Sequence, residues 1–431
     1  MQTRPRIHWV SPLPPAQTDI AAMTARILPS LAERADVVLW TDAETWDTEL
    51  EAHAIVRRYD AGAHFPMPLD GLPPANGPEC IFFQIGNSWL YHAGPLNLAR
   101  RVPGVVVLHD LAIQDLLAGM MANGHFERSV YRAEMARWYG GAGRDVASRV
   151  LGQRLAPSEA AARMPLFEIA LSKAVAALTY TEAGWDRVRE RAVLPAWALD
   201  LPFAPSQETA AERASDGPLR LVQFGYLAPN RRLDQVLEAL AQVKAHISYA
   251  FEVFGTLWDE RHVRQKISQL GLSDRVELRG YAPEGDLNQA LASAHLVFNL
   301  RNPTMGEASG SQLRIWNASA VSVVSEIGWY AGLPDDCVLK IPATGEVDAL
   351  AHLLRRLDAD RTICAAIGAA GRARLMERHT PERYVSGLLE GTARYGRDAR
   401  DAMMAGAARA LLARTPRPRL AAERLADLLE D

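Results

Sequence analysis

Short, continuous apolar runs alternate with amphipathic stretches along most of the chain. Ile7-His8-Trp9-Val10 is a β-type run, closed by the Pro-rich Ser11-Pro12-Leu13-Pro14-Pro15, which no helix interior accepts. Apolar residues then recur at helical spacing between Ile20 and Glu33 (Ile20, Met23, Ile27, Leu28, Leu31). Thr18 or Asp19 stands where an N-cap is expected. Val37–Trp40, Cys80–Ile85 and Val105–Leu108 are uninterrupted apolar runs, the pattern of parallel strands covered on both faces. Residues 110–195 are mostly helical in pattern and lead into Ala177-Leu178-Thr179-Tyr180.

The rhythm breaks between Leu201 and Pro218, where the chain turns polar and rich in Pro, Ser and Glu. It then resumes. Leu219–Phe224 reads as a strand and Leu233–Lys244 as a helix, followed by β runs at Tyr249–Phe254, Val276–Leu278, Leu296–Leu300 and Val321–Val324. The expected organisation is an N-terminal α/β domain over 1–200, a linker over 201–217 and a second α/β domain over 218–385. A C-terminal helical tail is expected over 386–431, broken at Pro416-Arg417-Pro418. Its arginine-studded face suits either solvent or the surface of an anionic membrane.

Composition changes this picture little. At 431 residues, 48% hydrophobic and 23% charged, the chain is that of an ordinary globular protein. A formal net charge of -4 lacks the basic footprint of a general nucleic-acid binder. Cys80, Cys337 and Cys364 are too widely spaced for a metal or redox pair, and with no apolar h-region at Met1–Val10 they point to a reducing cytoplasm. No apolar run reaches the ~20 residues of a membrane span.

Candidate chemistry gathers where strands end. Pro303–Arg314 follows the strand Leu296–Leu300 and is rich in Gly and Ser. A helix starting near Ser309–Ser311 would turn free N–H groups and a positive dipole end toward an anion. Glu307 either accepts bonds from ligand hydroxyls or caps that same helix. Gly225-Tyr226-Leu227-Ala228-Pro229-Asn230-Arg231-Arg232 follows the strand Leu219–Phe224, with Gly225 permitting a tight exit and two arginines at the next helix entry. Such guanidinium forks bind phosphate bidentately, although adjacent arginines are also common on solvated surfaces. His109-Asp110 follows Val105–Leu108, and Gln84-Ile85-Gly86-Asn87-Ser88 with His92 follows another strand. A histidine there can hydrogen-bond a substrate or shuttle a proton, with Asp110 fixing its tautomer if it folds back. Asp358 and Asp360 read as surface charge, Gly141 and Gly143 follow no strand, and Trp185, Trp197 and Trp316 read as core.

In this order the motifs resemble the retaining GT-B glycosyltransferases of family 4 (group 1), over roughly residues 6–385. The resemblance implies two Rossmann-like domains facing each other across a cleft. A nucleoside-diphosphate sugar would sit mainly on the second domain and a saccharide or lipid-linked acceptor mainly on the first. Glu307 matches the family's first motif glutamate, near the donor sugar hydroxyls, and His109 the first-domain histidine near the same sugar. Arg231 and Arg232 match the positions that neutralise the diphosphate, Arg231 standing where a lysine is usual; Gly310 and Ser311 match the helix start beside it. Gly225 opens the nucleotide-binding domain, and Gly280 with Tyr281 falls where backbone contacts to the base occur. Thr18, Asp19, Asn87 and Asp110 fall on the acceptor side.

Two departures stand out. Ile315 occupies the place of the second motif glutamate, which contacts the ribose, and Arg314 beside it is an alternative phosphate ligand. The first loop, Ala16-Gln17-Thr18-Asp19, lacks the usual glycines. The implied enzyme is a metal-independent, cytoplasmic or membrane-associated hexosyltransferase of cell-surface polysaccharide biosynthesis, without cofactor and with no nucleic-acid partner. The alternatives are a non-catalytic homologue that partners another transferase and a GT-B-fold nucleotide-sugar epimerase; oligomeric state is not readable.

Overall fold

In the computed structural model, residues 4–60, 72, 75, 77–191, 194–205, 213 and 215–396 are described. The chain forms two compact units, one built from Met1–Leu199 with the segment from Pro381 onward, the other from Asp200–Thr380.

In the first unit a seven-stranded sheet has the order β3-β2-β1-β4-β5-β6-β7. The strands are β1 (Arg6–Val10), β2 (Asp36–Thr41), β3 (Ile55–Arg58), β4 (Glu79–Ile85), β5 (Gly104–Leu108), β6 (Ala174–Thr179) and β7 (Ala196–Ala198). Every pair is parallel. The helices are α1 (Asp19–Arg34), α2 (Trp89–Ala99), α3 (Gln114–Ala122), α4 (Arg128–Leu151), α5 (Pro157–Ala161) and α6 (Glu182–Arg191). All five residues of β1 and of β5 are buried, as the unbroken apolar runs predict for strands covered on both faces. Gly141 and Gly143 fall inside α4, just past a non-helical Gly140.

The second unit carries a six-stranded parallel sheet of order β10-β9-β8-β11-β12-β13. Its strands are β8 (Leu219–Leu227), β9 (Tyr249–Leu257), β10 (Val276–Gly280), β11 (Leu296–Phe298), β12 (Ser322–Ser325) and β13 (Leu339–Ile341). Its helices are α7 (Leu233–Val243), α8 (Glu260–Gln269), α9 (Glu284–Ser293), α10 (Gly310–Asn317), α11 (Gly328–Ala331), α12 (Glu346–Ala359) and α13 (Thr362–Arg378). In both sheets the order reverses in the middle, between β1 and β4 and between β8 and β11. Ligands of open α/β sheets bind beyond the carboxyl ends of strands at such reversals.

Three features differ from the sequence expectation. Gly225 does not end its strand: β8 runs on to Leu227, and Gly225 pairs with Gly255 of β9. Both have positive φ, 109° and 104°, and a Cβ on Gly255 would stand 2.1 Å from the Gly225 carbonyl oxygen. Only two glycines allow the strands to continue through this close approach.

The second unit also begins at Asp200 rather than after the polar stretch. Asp200 Oδ2 accepts from Arg378 Nε at 2.9 Å, and the Phe203 N–H donates to the His379 carbonyl at 2.6 Å. The part of the expected linker at 206–212 and 214 lies outside the described residues.

Finally, the chain returns to the first unit at Pro381, not after 385, and is helical over 381–396. Tyr384 of this segment shares a hydrogen bond with Tyr180 (2.9 Å between hydroxyls), and Ser30 donates to Glu382 at 3.1 Å. The expected tail helices around Pro416-Arg417-Pro418 lie outside the described residues. No helix among the described residues is long and apolar enough to cross a membrane.

Candidate functional site

In the second unit the chemistry collects at the carboxyl ends of β8 and β11. After β8 a short 3-10 turn, Pro229–Arg231, places Arg231 with its side chain buried. Arg231 Nη1 donates to Asn299 Oδ1 at 3.3 Å, and its carbonyl accepts from Gln223 Nε2 at 2.8 Å. A Cβ on Gly225 would lie 3.2 Å from Arg231 Nη2, so glycine leaves the guanidinium its room. Gly225 thus serves the site from within the strand.

Arg232 departs from its expected role. Its backbone is left-handed (φ 61°, ψ 26°), a conformation that costs a non-glycine residue about 1–2 kcal/mol. Its guanidinium faces away to Glu346 at the start of α12, with Nε to Oε2 2.6 Å and Nη2 to Oε2 2.5 Å. Asn302 Nδ2 meets the other oxygen of Glu346 at 3.4 Å. A cation already matched by a buried carboxylate has little charge left for a diphosphate.

After β11 the loop runs to α10. Ser309 is the N-cap and its Oγ accepts from the Gln312 N–H at 3.1 Å. Gly310 and Ser311 open the helix, so their N–H groups stand at its positive end. Glu307 bonds its own loop: Oε2 accepts from the Met305 N–H (2.7 Å) and the Thr304 hydroxyl (3.0 Å), while Oε1 faces Arg301 Nε at 3.1 Å. The loop carboxylate, rather than the α10 cap, is the structural role it fills. Arg314, the alternative phosphate ligand of the sequence reading, pairs with Glu284 at the start of α9. Ile315 is fully buried in an apolar cluster with Val222, Phe224 and Phe254, and offers no polar group to a ribose. Gly280 closes β10 with φ 62°, and Tyr281 after it is 81% exposed.

In the first unit His109 follows β5. Its Nε2 meets Gln84 Oε1 at 2.8 Å, and its ring lies 4.8 Å from that of Tyr180. His92 Nδ1 meets the Gln84 carbonyl at 3.0 Å. Burial lowers the pKa of His92 to about 4. Burial, and then the neighbouring His92, hold His109 well below its usual value. Both rings are neutral at pH 7, so with Gln84 Oε1 as acceptor His109 carries its proton on Nε2.

Asp110 does not fold back on His109. It accepts the Asn87 N–H at 2.9 Å, while Asn87 bonds Asp115 Oδ2 (3.1 Å) and the Leu116 N–H (3.1 Å). Asp110 and Asn87 therefore shape the loop beside His109. Thr18 caps α1, accepting from the Ile20 N–H at 3.4 Å, and Asp19 is exposed in the first turn. Ile20 and His92 both crowd Gly86, each within 3 Å of where its Cβ would be, which sets the α1 start next to the end of β4.

Sequence reasoning passed over Asn299, Gln312, Arg301 and Glu346. The first left a visible signal, an amide ending an otherwise apolar run, Leu296-Val297-Phe298-Asn299. Among the described residues no group of three or more His, Cys, Asp or Glu side chains is placed to hold a metal ion.

Comparison with known proteins points the same way. Residues 231–390 match a family model described as glycosyl transferase-like. The WcaL proteins of Salmonella typhimurium and Escherichia coli, whose name assigns them to colanic acid biosynthesis as glycosyltransferases, are 27% identical over 126 residues. That match covers 28% of this chain and 31% of theirs, so the chain spans under a third of the curated relatives it matches. Among solved structures, HepE of Anabaena in complex with UDP superposes with TM-score 0.57 and 16% identity, over 90% of this chain and 99% of that one. Sucrose-phosphate synthase of Thermosynechococcus elongatus gives 0.57 and 14%, over 90% and 98%. The fold is therefore the α/β GT-B fold, as the motifs led one to expect.

Proposed function

We propose that this chain is a retaining glycosyltransferase that moves a hexose from a nucleoside-diphosphate sugar to a saccharide or lipid-linked acceptor in cell-surface glycan synthesis. The observation that carries the reading is that, at the reversal between β8 and β11, buried Arg231 is joined through Asn299 to the N-terminal turn of α10. A fixed guanidinium beside a helix N-terminus is an anion site. The glycosyl transferase-like match over 231–390 and the UDP seen with HepE favour a nucleoside diphosphate as that anion. HepE was also solved with UDP-glucose, and the naming of WcaL for colanic acid synthesis supports a surface glycan as product.

In this reading the bond from the anomeric carbon to the diphosphate breaks with its electron pair passing to the diphosphate oxygen. Arg231 and the Gly310 and Ser311 amides stabilise that developing charge. The acceptor hydroxyl attacks from the same face through an oxocarbenium-like state, and its proton goes to the departing diphosphate. His109, neutral and protonated on Nε2, binds a sugar hydroxyl in the first unit, which also takes the acceptor. Glu307 holds the 301–307 loop in place for sugar binding. Fixed cationic and dipolar groups do the work of a metal, so no metal is required.

Arg231→Ala and Glu307→Ala are each expected to lower transfer by at least about 10²–10³-fold in variants whose circular dichroism shows them folded, with wild-type turnover insensitive to EDTA. Unaltered turnover in both variants would refute the site, and loss of wild-type turnover in EDTA would refute metal independence. A thermal-shift panel of UDP-, GDP- and dTDP-sugars identifies the donor base. The buried Ile315 favours one competing reading, a non-catalytic homologue that partners another transferase; absence of binding across the whole panel would support it.

A further inference from the structure

Asn299 directly follows β11 and is 3% exposed, yet all of its side-chain polar atoms are engaged. Its Oδ1 accepts from Arg231 Nη1 at 3.3 Å, and its Nδ2 donates to Gln312 Oε1 at 2.9 Å and to Ser309 Oγ at 3.4 Å. Gln312 in turn donates through Nε2 to Ser322 Oγ of β12 at 2.8 Å, while its backbone N–H is capped by Ser309 Oγ at 3.1 Å. Each amide thus accepts on one side and donates on the other, giving one directed chain from Arg231 through Asn299 and Gln312 to Ser322.

This single amide ties together the two elements that make the anion site, the arginine after β8 and the first turn of α10 after β11. The backbones of the two loops meet separately, the Asn302 N–H donating to the Asn230 carbonyl at 2.8 Å, so what the amide adds is the setting of the guanidinium itself. Buried polar chains of this kind fix geometry, and a member left unmatched in the interior is costly.

We infer that Asn299 is the positioning residue of the diphosphate site: it sets the guanidinium of Arg231 in register with the N-terminus of α10, so that both reach one diphosphate. The inference rests on the donor reading above and names the residue on which its geometry depends. Asn299 needs to touch no ligand; it acts through Arg231 and Gln312. Because its Oδ1 is neutral, it orients the arginine without cancelling its charge, which aspartate at the same place would do.

The test is titration calorimetry of the full chain with UDP, GDP and dTDP, each beside its monophosphate. Asn299→Asp keeps the shape of the side chain but sets a carboxylate against Arg231. Binding of the preferred diphosphate is expected to weaken about 10- to 100-fold, with the monophosphate affected several-fold less. Gln312→Ala, which removes the lower partner and leaves Arg231 and Asn299 in place, is expected to give a smaller loss of the same selectivity. In an Arg231→Ala background, Asn299→Ala is expected to add almost nothing, since the two act as one unit.

A merely structural role would lower both affinities together and persist in the Arg231→Ala background; that pattern, or an unchanged diphosphate affinity in Asn299→Asp, overturns the inference while the wild-type binding upholds the donor reading. Wild-type protein that binds none of the three diphosphates overturns the donor reading instead. If Asn299→Asp does not fold, Gln312→Ala decides, and equal diphosphate affinity there also overturns the inference.

Discussion

The two candidate sites use one device for opposite ends. In the first unit Gln84, next to last in β4, meets His109; in the second Asn299, directly after β11, meets Arg231. In each an amide at a strand terminus orients a side chain with chemistry to perform. What the surroundings do to charge then differs. Around His109 burial removes it, and both imidazoles are held neutral. Around Arg231 charge is kept and balanced, with Arg232 on Glu346 and Arg301 on Glu307. Cations are kept where buried carboxylates meet them, whereas a neutral ring is cheaper to bury than an imidazolium.

The largest effect should come from breaking the balance in the second unit. Glu346 is almost fully buried, and Arg232 is held in a left-handed backbone against it. Glu346→Ala leaves that cation half-enclosed and unmatched, with an expected loss of about 3 kcal/mol, read from denaturant unfolding. Adding Arg232→Gly should recover much of it, because glycine accepts φ 61° and carries no charge. A double variant no more stable than Glu346→Ala would mean that the pair does not act as the pair described.

The first unit should show its character in acid. Above pH 6.5 the His92 ring is neutral in folded and unfolded chains alike, so its titration does not affect stability. Below that, the unfolded chain gains a proton that the folded one refuses until pH falls to about 4. Stability therefore declines with falling pH across this window, by about 3 kcal/mol for this one ring at the bottom of it. Melting temperature followed from pH 7 to 4 should show the decline, and His92→Asn should flatten it by close to one proton. An unchanged slope in that variant would show that the ring is not held neutral by burial.

How much of this was visible in the chain itself differs between the two units for physical reasons. Strand and helix alternation was legible because parallel strands buried on both faces must be apolar throughout, and His109, Arg231 and the Gly310-Ser311 turn stand out in the chain because they lie in the loops that follow such runs. Ion pairing was not. Arg232 and Glu346 are 114 residues apart, and nothing near either announces the other. The continuation of β8 through Gly225 depends on Gly255 lying opposite it, a fact of register rather than of local sequence. The return of the chain at Pro381 is settled by Tyr384 meeting Tyr180, 204 residues away. Local pattern reports what a segment can bury; it does not report which distant charge or ring will be waiting.

The smallest difference lies in how the two units start the helix beside each site. Thr18 caps α1 with a long bond, 3.4 Å to the Ile20 N–H, and none to the chain around His109. Ser309 caps α10 at 3.1 Å and also receives Asn299 Nδ2 at 3.4 Å. Loss of an N-cap hydroxyl costs typically about 1 kcal/mol, and Ser309→Ala additionally removes an acceptor from a buried amide. The expected loss is therefore about 1–2 kcal/mol for Ser309→Ala and about 0.5 kcal/mol for Thr18→Ala, where water can take over the exposed end of the helix. Urea unfolding of both variants measures the gap. Equal losses would place the cap of α10 outside the buried chain and would confine the contrast between the units to their charges alone.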